Sequence, residues 1–224
     1  MDMKRTLGKF TTATGRLVFP LYLNEPDSKF DDSEDKLKFK AGLRLDGEDA
    51  VSLRDCIETA WDGWQETVKV GIGKKPKVQA KNIQWYTSET KRWDDMGEST
   101  AKLLDDLQDD ELIIKTSCRA FRDGEARRPA IFDAGGQLIK AEDLPPIGFG
   151  TLAKISGSLY GWTTKAGVAS MSLILHAVQI IQLVEPGQGG QEAEDFGFSA
   201  TDGFKSDVDQ FIEQIPGDDK GGDF

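Results

Sequence analysis

Apolar and polar positions alternate along most of this chain. Between residues 148 and 163, Phe149, Ala153, Ile155 and Leu159 fall on one face, and Lys154, Ser156, Ser158, Tyr160 and Trp162 on the other. After a turn-like stretch, residues 161–167, the positions Ala169, Met171, Leu173, Leu175 and Ala177 alternate with Ser170, Ser172 and His176. Successive side chains of a strand point to opposite faces, so both halves are predicted as strands with one buried face, joined as a hairpin. Leu17, Phe19, Leu21 and Leu23 alternate with Arg16, Val18, Pro20 and Tyr22, a first strand in which Pro20 marks an edge or bulge. Residues 24–35 form an acidic loop, and Leu37, Phe39, Ala41, Leu43 and Leu45 then alternate with Lys38, Lys40, Gly42 and Arg44. Leu112, Ile114, Thr116, Cys118 and Ala120 alternate with Ile113, Lys115, Ser117, Arg119 and Phe121, a third strand with a basic and aromatic face. Residues 129–132 predict a shorter strand, and residues 133–136 a turn.

One stretch has the other period. Leu53, Cys56, Ile57, Ala60, Trp61, Trp64 and Val68 recur at helical spacing over residues 52–68, with Asp49 or Ser52 placed to cap the start. Trp61 and Trp64 are expected as core anchors. Residues 99–107 predict a short acidic helix.

Charge changes the picture. The 224 residues carry a net charge of −11, but residues 192–224 hold ten acids against two lysines, while the rest is nearly balanced at −3. Average charge therefore does not exclude a polyanion as partner. A Gly- and Gln-rich linker at 186–191 separates the two parts, predicting a folded domain over 1–185 and an acidic interaction tail over 186–224. Low hydrophobicity with high charge predicts a disordered tail.

Catalytic chemistry is hard to build here. There is one histidine, His176, and the two cysteines, Cys56 and Cys118, lack metal-ligand spacing. No nucleophile sits beside a base in a motif, and the carboxylates are scattered, so no enzyme activity, cofactor or metal ion is expected. The glycine pattern at 148–153 matches a dinucleotide fingerprint on paper, but strand alternation follows it where a helix is required. The Gly- and Lys-rich loop at 71–77 lacks the upstream glycine and the Ser or Thr of a phosphate-binding loop. No apolar run is long enough to span a membrane.

Cations interleaved with rings suit backbone phosphates and unstacked bases. The candidate DNA-binding residues are Lys38, Lys40, Arg44, Trp85, Tyr86, Arg92, Lys115, Arg119, Phe121, Lys154, Tyr160, Trp162 and Lys165. Several short strands, one main helix and a long hairpin predict a mainly β fold, an OB-type five-stranded Greek-key barrel.

The run Pro129-Ala130-Ile131-Phe132-Asp133, the turn Gly148-Phe149-Gly150-Thr151 and the strand Lys165 to Leu173 resemble phage-encoded single-stranded DNA-binding proteins of the podophage type. The acidic tail ending in Asp223-Phe224 resembles theirs as well. The resemblance implies an OB fold, a homodimer, and a tail that contacts replication proteins such as DNA polymerase through Asp223 and Phe224. It further implies a role in DNA replication, recombination and repair in the cytoplasm of an infected bacterial host. The rival is an acidic adaptor or DNA mimic that binds DNA-processing enzymes. A mimic spreads acids over its body, whereas here the polar faces of the strands carry lysine and arginine.

Overall fold

The computed structural model describes residues 3–28, 33, 36–77, 84–88, 107–122, 124–164 and 166–186. The chain divides into two units, Met1–Gly190 and Gln191–Phe224, and the described residues all belong to the first. The expected helix at 99–107 (save Leu107), the linker (save Pro186) and tail with Asp223 and Phe224, and the site residues Arg92 and Lys165 lie outside the described residues.

Five strands pair around a ring: β2 (Gly15–Asp27), β3 (Lys38–Leu45), β5 (Leu112–Arg119), β11 (Ala169–Gln182) and β10 (Leu152–Thr163), which returns to β2. Neighbours run antiparallel except β5 and β11, which are parallel. This is the Greek-key order of an OB barrel, as the alternation predicts. Two seams are short: Leu152 and Ala153 alone join β10 to β2, and the single pair Ile174 and Ser117 joins β11 to β5. A two-residue strand, β4 (Trp85–Tyr86), pairs with β5 beside the second seam. Gln84 bridges there, its carbonyl accepting from Lys115 N at 2.7 Å and its Oε1 from Leu173 N at 2.7 Å. Small additions flank the ring: β1 (Lys4–Thr11) on β10, the β6–β7 hairpin (Phe121–Arg122, Glu125–Ala126), and β8 (Ala130–Phe132) with β9 (Leu138–Ile139) against β11.

The core is the inward face of these strands, with Leu17, Leu43, Leu112, Ile114, Ile155, Leu159, Leu173 and Leu175 buried. Helix α1 (Gly47–Ile72) adds Ala50, Leu53, Ile57, Trp61, Trp64 and Val68, a single stripe at helical spacing. Both tryptophans are core anchors, as expected. No side chain caps the helix start, where Asp46 is extended, but Glu48 and Asp49 occupy the first turn and suit the helix dipole. Gly73, at φ 70°, ends it in the left-handed conformation that glycine adopts without strain. Among the described residues no helix is long and apolar enough to cross a membrane.

Three departures from strict alternation have one cause, the β-bulge. In β2 the register shifts between Val18 and Leu21, so Phe19, expected inside, is 39% exposed. In the hairpin, Ser156 pairs with Ala177 but Gly157 pairs with Leu175, leaving His176 extra. The inward phase flips there: Val178 and Ile180 are buried in place of Ala177. β1 has its own shift between Thr6 and Gly8, which hides its period from the sequence. Phe149 is also exposed, because it precedes β10 in the turn at Gly150, φ 85°. A strand, not a helix, follows that turn, so the glycine pattern is no dinucleotide site.

Candidate nucleic-acid interface

The outward residues of β3 and β5 pair across the strands: Lys38 with Arg119, Lys40 with Ser117, Gly42 with Lys115, and Arg44 with Ile113. Paired residues of an antiparallel ladder share a face, so Lys38, Lys40, Lys115 and Arg119 form one basic stretch of the barrel exterior. Tyr22 of β2 pairs with Lys40, whose ammonium lies 5.8 Å from its ring centre.

These cations are not equivalent. Lys40 is ion-paired with Asp27. Arg44 grips Glu111 with two bonds of 2.9 and 2.7 Å, and Gln108 N donates to the same carboxylate. Burial alone would raise the Glu111 pKa, but the Arg44 bonds and the Gln108 amide hold it below the ordinary value. Arg44 is thereby committed to the fold. Lys115 is half-buried, 4.6 Å from the ring centre of Tyr86, and burial lowers its pKa to about 8. Burial also lowers Lys38, helped by repulsion from Lys40 and Arg119. Arg119 is exposed and Phe121 half-buried.

Trp85 and Tyr86 do not belong to an open surface. Trp85 is 4% exposed and meets Trp61 edge-on at 5.9 Å. Tyr86 packs over Ile113 and Leu107, and burial pushes its phenol to about 12. Flanked by lysines, both rings look like stacking platforms in sequence, but pairing with β5 turns Trp85 into the core and leaves Tyr86 on the outer face, covered by Leu107 and Lys115.

Lys154, Tyr160 and Trp162 lie on a second stretch, on the other side of the β5–β11 seam. Here β1, unrecognised in the sequence, supplies the missing neighbours: Lys4 pairs with Trp162, Thr6 with Tyr160, Lys9 with Ser158 and Thr11 with Ser156. The Trp162 indole donates to Ser172 Oγ at 3.1 Å, which fixes the ring, and Ser158 Oγ lies 3.1 Å from His176 Nε2. Across β1, β10 and β11 there are four basic residues and not one Asp or Glu. In a chain with 39 acids, that is a sheet kept clear of negative charge.

No protein-family model matches the sequence, and no curated protein matches it. Solved structures do. The chain superposes on gp2.5, a single-stranded DNA-binding protein encoded by bacteriophage T7, with TM-score 0.56 and 21% identity, over 91% of this chain and 100% of that one. The fold is that of phage single-stranded DNA-binding proteins. The single-stranded DNA-binding protein of bacteriophage Enc34, solved in complex with ssDNA, matches at TM-score 0.53 and 14% identity over 83% of this chain and 96% of that one. A second structure of the Enc34 protein matches at TM-score 0.51 and 14% identity over 87% of this chain and 96% of that one. At such identities the likeness is one of backbone, and the contacts to a ligand depend on this chain's own side chains.

Proposed function

We propose that this protein binds single-stranded DNA without strong sequence preference, and does so stoichiometrically rather than as a catalyst. The observation that carries the reading is the acid-free β1–β10–β11 sheet, with Lys4, Lys9, Lys154, Tyr160 and Trp162 on one face of an OB barrel. Phosphates need cations, and unpaired bases need rings; duplex readers instead need a helix or ribbon shaped for a groove. Lys38, Lys115 and Arg119 extend the basic surface onto the face where OB barrels commonly hold oligonucleotides. The Enc34 protein, which shares the fold, is seen holding ssDNA, and that supports the same ligand class here. The mimic reading fits poorly with a body that excludes acids from three adjacent strands.

The finer proposals rest on sequence. The tail over 192–224, net −8, competes with DNA for the basic faces, and DNA releases it. Asp223 and Phe224, with Lys165 and Arg92 on the body, complete the contact set: the first two toward a replication protein such as a polymerase, the last two toward DNA. A homodimer acting in replication, recombination and repair in the host cytoplasm completes the proposal. Fluorescence anisotropy of a labelled oligothymidine, titrated with full-length protein, tests the central part. Saturable binding that equal concentrations of unlabelled duplex displace poorly is the expected result. Absence of binding at low salt would refute it.

A further inference from the structure

At the far end of the acid-free sheet from Trp162, the outer faces of β10 and β11 sink into a cavity of about 370 Å³. Its floor is Lys154, Ser156, Ala177 and Gln179; Thr11 of β1 lines one side, and Phe132 and Gly136 of the β8–β9 hairpin the other. We propose that this cavity is a single-nucleotide subsite, taking one splayed-out base and its phosphate from the bound strand.

Each part of a nucleotide has a counterpart. Phe132 is half-buried at the rim and supplies an apolar face for a base. Lys154 supplies the cation for the phosphate, and among the described residues no carboxylate lines the cavity to oppose it. Thr11 Oγ1 donates to Ser156 Oγ at 3.5 Å, which leaves the Ser156 hydroxyl to donate to, and both oxygens to accept from, a sugar or base edge. The wall is built rather than incidental. Gln179 Nε2 donates to the carbonyls of Asp133 and Ala134, at 3.2 and 3.3 Å, and Asp133 Oδ1 closes the turn by accepting from Gln137 N at 2.8 Å. Gly136 lines the cavity at φ 80°, the left-handed conformation that lets the β8–β9 turn close beside it. The volume falls within the range of small-ligand sites. The cavity shares its floor strands with Tyr160 and Trp162, so a strand stacked on those rings runs along β10 toward it.

This subsite rests on the single-strand reading, and the test separates the two. Isotope-labelled full-length protein is titrated with thymidine 5′-monophosphate, with inorganic phosphate in a parallel arm, following the Gln179 side-chain amide and the Gly136 backbone amide. Both signals should move with the nucleotide and hardly at all with phosphate. Phe132→Ala and Lys154→Gln should each abolish the response and weaken oligothymidine binding about tenfold. Lys154→Gln leaves the hairpin packing intact, so it decides the matter if Phe132→Ala unfolds. Signals that stay still with the nucleotide, or move equally with phosphate alone, overturn the subsite even if oligonucleotide binds. Failure of wild-type protein to bind oligothymidine sinks the proposed function instead, and the nucleotide titration still judges the cavity.

Discussion

Lys115 faces outward on β5 yet is half-buried beside Tyr86, and its pKa near 8 gives a signed expectation. Below pH about 8 the group is protonated in both folded and unfolded chains, so its titration leaves stability unchanged. Between about 8 and its ordinary value of 10.5 the folded chain has released the proton and the unfolded chain has not, so stability rises with pH. After discounting for the water that still reaches the group, the rise is on the order of 1 kcal/mol. Urea denaturation of wild type and Lys115→Met at pH 7 and 9.5 reads it: the change in stability between the two pH values should be more favourable in wild type than in the variant by that amount. DNA affinity should move the opposite way, falling across pH 8 as the cation is lost. Trp162 gives the clearest binding expectation. Its ring is held by Ser172, so Trp162→Ala removes a preset platform and should weaken single-strand binding by about 1–3 kcal/mol at unchanged melting temperature. Arg44→Ala should do the reverse. It orphans the Glu111 carboxylate and should lower stability by about 1–3 kcal/mol, with binding affected little by comparison. Thermal melts alongside anisotropy distinguish the two patterns.

At the scale of elements, period was legible and its interruptions were not. Lys38, Lys40, Lys115 and Arg119 could be placed on outward faces from alternation alone, because β3 and β5 pair without a bulge over eight residues. Phe19, Ala177 and all of β1 went astray because a single extra residue reverses the phase, and nothing local in the sequence marks where it is inserted. Trp85 failed differently: its burial comes from pairing with Ile114 and contact with Trp61, both remote in sequence. The same tertiary logic governs Gly161. A Cβ there would lie 2.6 Å from the Trp64 ring, so the glycine is what lets α1 seat on the hairpin. Gly161→Ala should destabilise by about 1–3 kcal/mol, and should disturb Trp162 beside it. A variant as stable as wild type would mean that α1 is free to shift outward.

For the whole molecule, charge is arranged rather than averaged. The net −11 comes mostly from the last 33 residues, while four of the five barrel strands, and β1 beside them, carry no acid at all. That distribution is what the proposed binding of a polyanion by the body requires. Deleting residues 192–224 should tighten single-strand binding, most at low salt, where the competing acids are least screened. Equal affinity of the full-length and shortened chains at low salt would remove the competition. The most direct measurement is the salt dependence of oligothymidine binding by the full-length protein, followed by anisotropy. Affinity should fall linearly on a log–log scale, with a slope of about −0.7 for each phosphate contacted. Lys9→Gln and Lys154→Gln should each make that slope shallower by about one such unit. A steep slope that both substitutions leave unchanged would place the DNA elsewhere, and binding indifferent to salt would contradict the electrostatic interface altogether.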